Sequence, residues 1–159
     1  MSVFLRTMEF LSLGMWLGAD AFLSFVVAPG AFAVLSSRDS AGLMVGYSLT
    51  RLHFAGIALG LLFLAARLAR TQSFVSLASA VALCAVLMVA LTAISQFTVS
   101  QRMAVLRKQM VSIQSTPENS PSLAEFNKLH RLSVLFEGSV LLLGVAGMYL
   151  LVREVSARR

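Results

Sequence analysis

Four long apolar segments, separated by short polar stretches, dominate the pattern of the chain. Their bounds are about residues 10–32, 50–68, 74–99 and 132–152. An α-helix needs about 20 residues to cross the hydrocarbon core of a bilayer, and each segment is close to or above that length. The third is the clearest, because it lies in a stretch without any charged side chain. The pattern predicts four transmembrane helices in a single domain, residues 1–159.

Helices 2, 3 and 4 are predicted to extend beyond the membrane. Ser36 and Asp39 have the spacing of a capping box and would start helix 2 at about residue 37. A helix over residues 37–70 measures about 50 Å, which exceeds the hydrocarbon thickness. After helix 3, apolar residues recur at alternating spacings of four and three. This spacing predicts an amphipathic extension of about 15 residues.

Other helix boundaries carry their own signals. The polar segment TPENSP, residues 116–121, should separate helix 3 from helix 4. Ser122 and Glu125 repeat the capping-box spacing there, and helix 4 is expected to end near Val155. In helix 1, Pro29 and the glycine that follows it are expected to kink or end the helix near one membrane face.

Glycines at four-residue spacing predict close packing of the helices. Gly14 and Gly18 form such a pair in helix 1, and Gly56 and Gly60 form another in helix 2. Small residues at this spacing let two helix backbones approach each other. We therefore expect an all-α, integral membrane four-helix bundle. Pairs left on its outer surface would also permit a homo-oligomer.

The composition agrees with an integral membrane protein. Hydrophobic residues make up 58% of the chain and charged residues 13%, against roughly 25% charged residues in soluble domains. The mean hydropathy is +0.84. The net charge is +6, but the thirteen Lys and Arg residues lie at the ends of apolar runs. They are interpreted as membrane-flanking anchors, and a nucleic-acid-binding patch is excluded. The single cysteine, Cys84, excludes an intramolecular disulfide.

An even number of crossings places both termini on the same side of the membrane. Six Lys and Arg residues belong to that side and seven to the other. Arg51 and Arg131 lie at the edges of spans, where they can serve the bundle rather than set its orientation. We therefore expect cytoplasmic termini and a multi-pass protein of the bacterial inner membrane.

Each predicted helix carries one polar stripe at helical spacing. Polar faces avoid lipid, so the four stripes should converge inside the bundle. The candidate intramembrane polar site consists of Asp20, His53, Gln96, His130, Ser133 and Glu137. A charge at this depth is costly unless it is paired, hydrated or functional.

Three interpretations fit this site. His53 and His130 can ligate a haem from opposite sides, or hold a metal ion such as copper together with Glu137. Asp20, Glu137 and the histidines can instead relay protons or line a solute path. In the third interpretation the polar side chains bond one another and set the helix register. Signatures of soluble enzymes, such as HExxH, are missing from the sequence. We therefore expect a non-enzymatic protein without catalytic residues, which binds a protein partner or a small ligand.

Three segments resemble a known family. They are WLGADAFLSFVVAPGAFAVLSSRDSAG (residues 16–42), RLHFAG (residues 51–56) and FNKLHRLSVL (residues 126–135). They resemble the small bacterial members of the transmembrane protein 205-like family of uncharacterised membrane proteins. The resemblance implies a four-helix membrane protein without an assigned biochemical activity. Asp20 and Glu137 depart from that family's pattern. More distantly, the layout is similar to the four-helix haem-handling oxidases of porphyrin synthesis and to copper-resistance membrane domains, and these likenesses keep haem and copper among the candidate ligands.

Overall fold

The structure, a computed structural model, describes residues 2–157 and contains no strand within them. Four of its helices are long and apolar enough to cross a membrane. They are α1 (Val3–Val34), α2 (Arg38–Thr71), α3 (Ala80–Gln109) and α4 (Pro121–Ser156). The prediction of an all-α fold with four membrane-spanning helices is confirmed, and the protein is a multi-pass membrane protein.

The helices form a closed ring in chain order. α1 packs on α2 and α4, and α3 also packs on α2 and α4. α1 and α3 therefore lie diagonally opposite each other, as do α2 and α4. Large apolar side chains cover the outer faces of all four helices, for example Met15, Phe25, Phe54, Leu61, Leu87, Leu142 and Tyr149. Such a surface is stable in lipid and would be unstable in water.

α1 continues through Pro29 instead of ending there. A π-helical turn, Leu23–Val27, directly precedes the α-helical segment Ala28–Val34, which holds Pro29 in its first turn. Proline lacks an N–H group and would clash with the carbonyl four residues earlier in a regular helix. The wider π turn shifts the hydrogen bonding at this point and relieves that conflict. Of the two expectations, a kink or an end at Pro29, the end is not observed, since α1 continues five residues beyond Pro29 to Val34.

Both predicted capping boxes are misplaced. Ser37, not Ser36, caps α2, because its Oγ accepts a hydrogen bond from the Ser40 N–H at 3.1 Å. At α4, Ser120 occupies the N-cap position, and Pro121 begins the helix. Proline suits that position because the first N–H groups of a helix have no intrahelical partner.

α3 begins later than expected. The segment Phe74–Ala78 forms a 3-10 turn, and Ser79 then caps the helix by accepting from the Ala82 N–H at 3.4 Å. The helix passes through a second π turn at Ser95–Ser100 and ends at Gln109. The extension beyond the span is therefore shorter than the expected 15 residues.

The extension nevertheless has a buried face, because Leu106 and Met110 pack on Phe126 of α4. Met110 already has an extended backbone, so the apolar spacing continues into the connection after the helix has ended.

The apolar core lies towards the end of the bundle that carries the chain termini. It consists of Leu13, Trp16, Phe63, Val81, Ala85, Met88, Val140 and Leu151. The Trp16 indole of α1 lies against Gly56 and Gly60 of α2, where a Cβ atom on Gly60 would come within 2.6 Å of the ring. These glycines therefore permit the α1–α2 contact. In contrast, a Cβ atom on Gly18 would meet nothing within 4 Å.

Candidate functional site

Each of the four helices contributes one polar side chain to a level near the middle of the bundle. We call these four residues the polar layer: Asp20 of α1, His53 of α2, Gln96 of α3 and Glu137 of α4. His53, Gln96 and Asp20 are buried, with exposed fractions of 1%, 6% and 1%. Glu137 is only partly buried, with 16% of its side chain exposed.

His53 is the centre of the polar layer. Its Nδ1–H donates to Gln96 Oε1 at 2.8 Å. Its Nε2 lies 2.6 Å from Glu137 Oε1. Since Nδ1 already carries a proton for Gln96, the second bond has two forms: a charged imidazole paired with a carboxylate, or a neutral imidazole accepting from a carboxylic acid. The proton between these two atoms therefore has two positions.

Asp20 differs from the other members of the polar layer, because neither of its carboxyl oxygens accepts a hydrogen bond from a donor among the described residues. Glu137 lies close enough for the two carboxyl groups to share a proton. Glu137 and His53 are its titratable neighbours. A buried polar group without a partner costs free energy, and a carboxyl group costs more than a neutral one. A group of this kind is either a strained part of the structure or part of a functional site.

A cavity of about 710 Å³ lies beside the polar layer, between α2, α3 and α4. It lies at the face of the bundle where the chain segments 35–37 and 110–120 connect the helices, which we call the connection face. Thr50, Ser100 and Ser133 line it. They are three or four residues along their helices from the members of the polar layer, so about one helical turn separates the cavity from that layer. This side of the polar layer is therefore the one that faces the cavity.

His130 and Ser133 were predicted to join His53 and Glu137, but both line the cavity instead. His130 is exposed and makes no hydrogen bond to the polar layer. The reason is helical rise: seven residues of α4 separate His130 from Glu137, which is about 10 Å. Only one of the two levels can match His53, and the structure pairs His53 with Glu137. The expectation of one cluster holding both histidines is therefore wrong.

This geometry does not suit a haem or metal ion held by the two histidines. Both ring nitrogens of His53 are engaged, by Gln96 and by Glu137. A metal ligand needs one of them free. Within residues 2–157, no group of three or more His, Cys, Asp or Glu residues is arranged to hold a metal ion.

A second buried polar group, at the opposite end of the bundle, was not predicted. Glu9 of α1 is fully buried, and Arg70 of α2 donates to it from Nε at 2.5 Å. Arg67 donates to Glu9 at 3.4 Å and to Glu154 of α4 at 2.6 Å. We call these four residues the terminal ion network. It joins α1, α2 and α4 where the chain termini lie.

The interpretation of all basic residues as membrane-flanking anchors is wrong for Arg67, of which only 3% is exposed. The sequence does hold a signal for this network. Arg67 and Arg70 are three residues apart and so share one face of α2. Glu9 lies on the same stripe of α1 as Trp16, which packs against α2.

Comparison with known proteins gives one match. The family model described as Domain of unknown function (DUF4149) matches residues 11–112. The matched region contains Asp20, His53 and Gln96, whereas Glu137 lies outside it. No curated protein and no solved structure matches the chain. Because the match covers more than half of the chain, this protein belongs to the DUF4149 family of uncharacterised domains.

Proposed function

We propose that this protein binds a small ligand in the cavity between α2, α3 and α4. The observation that carries this proposal is the position of the cavity: it has a volume of about 710 Å³ and ends about one helical turn from the polar layer. Ligand sites typically have volumes of about 300–1,000 Å³ and combine an apolar wall with a few placed polar groups. The role is binding rather than catalysis.

The lining of the cavity supports a ligand with both apolar and polar parts. Apolar side chains such as Leu43, Met103 and Phe126 form much of the wall. Tyr47 and Asn127 add groups that can donate and accept hydrogen bonds. The cavity would therefore bind a ligand that matches both kinds of surface in preference to purely apolar lipid chains.

The proposal is tested by filling the cavity. Ala104 lines it, whereas the next residue, Val105, is 45% exposed and does not. Wild type, Ala104→Phe and the matched control Val105→Phe are purified in a mild detergent, and the small molecules released on denaturation are identified by mass spectrometry. We expect one compound to accompany the wild type and the control, and to be lost from Ala104→Phe. Equal recovery from all three proteins, or from none, would contradict the proposal.

A second candidate function is proton transfer through the polar layer. It is favoured by the unpartnered carboxyl group of Asp20 beside the His53–Glu137 pair, whose shared proton has two positions. Carboxyl and imidazole groups within a membrane commonly relay protons. In liposomes containing a pH-sensitive dye, the wild type should dissipate a pH gradient and Asp20→Asn should not. Wild-type liposomes that are no leakier than empty ones would exclude this function.

We further propose that the protein lies in a bacterial inner membrane with cytoplasmic termini. The two sides carry nearly equal numbers of Lys and Arg, and this orientation rests on setting aside Arg51 and Arg131 at the edges of the spans. The exposed surface around Gly18 would admit a second copy of the chain or another membrane protein. We also propose, from the likeness of residues 16–42, that the protein is related to the transmembrane protein 205-like family.

A further inference from the structure

We infer that the cavity takes an amphiphile with an oxyanion head, a carboxylate or a phosphate on an apolar chain, and that Arg107 of α3 holds that head. This inference rests on the proposed ligand-binding function and names the class of ligand. Four features carry it: the fixed position of Arg107, the lack of a paired carboxylate, the apolar wall, and the level of the cavity in the bundle.

The Arg107 guanidinium is held in place by three contacts, from α2 and α4. It lies over the Phe126 ring of α4, with 5.4 Å between its central carbon and the ring centroid. A Cβ atom on Gly42 of α2 would come within 2.8 Å of its Nη2, so the missing side chain makes room for it. Its Nη1 donates to the Asp39 carbonyl oxygen at 3.3 Å. A cation fixed in this way loses little side-chain entropy when a ligand binds.

The carboxylate group of Asp39, which lies near Arg107, already accepts hydrogen bonds from other donors. Asp39 Oδ1 accepts from the Ile113 N–H at 3.0 Å, and Oδ2 accepts from the Ser112 hydroxyl group. Among the described residues, no carboxylate forms an ion pair with Arg107. A guanidinium has five N–H donors, and the bond to the Asp39 carbonyl uses one of them.

The remaining charged and titratable groups of the lining are Arg38, Tyr47 and His130. With Arg107 and Asp39 they give the cavity a positive balance. A planar guanidinium with free donors fits the two oxygens of a carboxylate or phosphate.

The apolar part of the ligand has a matching wall. Phe32, Leu43 and Met103 line the same cavity as Arg107. The first turns of α2 and the last turns of α3 lie beyond the hydrocarbon core, because each helix is longer than the core is thick. The cavity therefore lies near the level of lipid headgroups, where the polar end of an amphiphile meets its apolar chain.

The test measures binding of four probes to the protein in a neutral maltoside detergent. The probes are dodecyl phosphate, dodecanoate, inorganic phosphate and dodecyltrimethylammonium. Arg107→Gln is compared with Arg102→Gln, which removes one positive charge from the same helix but from an exposed ion pair with Glu125. Arg107→Lys keeps the charge and removes the planar fork.

We expect dodecyl phosphate or dodecanoate to bind the wild type more tightly than the cationic probe or inorganic phosphate. Arg107→Gln should weaken that binding about tenfold or more, the usual effect of losing a charge-assisted hydrogen bond. Arg107→Lys should lie between, and Arg102→Gln should match the wild type. If dodecyl phosphate binds more tightly than dodecanoate, the natural ligand is a lipid phosphate. If dodecanoate binds more tightly, the natural ligand is a fatty acid.

Three outcomes would overturn the inference. If the cationic probe binds as tightly as the anionic amphiphiles, the cavity does not select an oxyanion head, although the proposed binding of a ligand in the cavity still stands. If Arg102→Gln weakens binding of the anionic probes as much as Arg107→Gln does, the effect comes from general surface charge and not from the position of Arg107. If Arg107→Gln fails to fold, Ala104→Phe takes its place, because it fills the cavity without changing Arg107; anionic probes that bind this variant as tightly as the wild type would overturn both the inference and the proposed function.

Discussion

His53 of α2 and Glu137 of α4 meet across the diagonal of the helix ring, with 2.6 Å between Nε2 and Oε1. Because α2 and α4 are not neighbours in the ring, this contact crosses the centre of the bundle. Gln96 joins α3 to the same imidazole. One side chain therefore sets the relative height of three helices, since a shift of Gln96 or Glu137 by one residue would break its bond to the ring, and a shift of His53 would break both.

The His53–Glu137 contact should contribute measurably to stability. His53→Leu leaves Glu137 and Gln96 without their partner inside the bundle, which should cost about 2 kcal/mol. Glu137→Leu should cost a similar amount. The double variant should be less destabilised than the sum of the two, because it leaves no broken pair behind. Unfolding in detergent measures all three proteins, and strict additivity would contradict a direct interaction.

Asp20 should reduce the stability of the protein. Its buried carboxyl group has no N–H or hydroxyl donor among the described residues and only the Glu137 carboxyl group beside it, so Asp20→Leu removes an unmet desolvation cost and should stabilise the fold by about 1 kcal/mol or more. Asp20→Asn keeps a buried polar group and should gain less. The melting temperatures of the three proteins in one detergent test this order. A lower melting temperature for Asp20→Leu would mean that the carboxyl group has a partner in the membrane.

The Trp16 contact predicts a large difference between two glycines. Gly56→Ala places a methyl group against the Trp16 ring, whose atoms are the three nearest to the new Cβ atom, and should cost about 1–3 kcal/mol. Gly18→Ala is the matched control, because the new atom meets nothing within 4 Å. It should leave the free energy of unfolding unchanged or raise it slightly, since alanine favours a helix more than glycine does. Equal losses in both variants would contradict the α1–α2 packing.

The terminal ion network should be more important for stability than the exposed ion pair at the connection face. Glu9→Gln leaves Arg70 without its carboxylate and Arg67 with Glu154 alone, and breaking a buried pair of this kind costs about 3 kcal/mol. Glu125→Gln breaks the exposed pair with Arg102 and should have little effect, because solvent screens that interaction. Raising the salt concentration should not remove the difference between the two variants. Similar stabilities would contradict a buried network.

The secondary structure was largely predictable because the bilayer imposes simple rules on sequence. A hydrocarbon core requires about 20 apolar residues per helix, and satisfied backbone hydrogen bonds require helices. The four apolar segments meet those requirements without reference to the rest of the chain. The π turns in α1 and α3 were not predictable, because they depend on how a proline or a buried polar residue is accommodated locally.

The candidate site was only partly predictable for a related reason. Helical periodicity indicates which face of a helix points inward, and it placed Asp20, His53, Gln96 and Glu137 on such faces. It also placed His130 there, since periodicity carries no information about height relative to another helix. The structure separates His130 from Glu137 by two turns of α4 and leaves it at the cavity.

The sequence by itself determined that this protein has four membrane-spanning helices and which face of each helix is polar, because both follow from the order of residues along one helix. The tertiary structure decided which polar side chains meet. The pairing of His53 with Glu137, the lack of a partner for Asp20 and the burial of Glu9 between two arginines all depend on the relative height and rotation of separate helices. Those quantities are set by packing contacts such as Trp16 against Gly56 and Gly60, which join residues far apart in the chain.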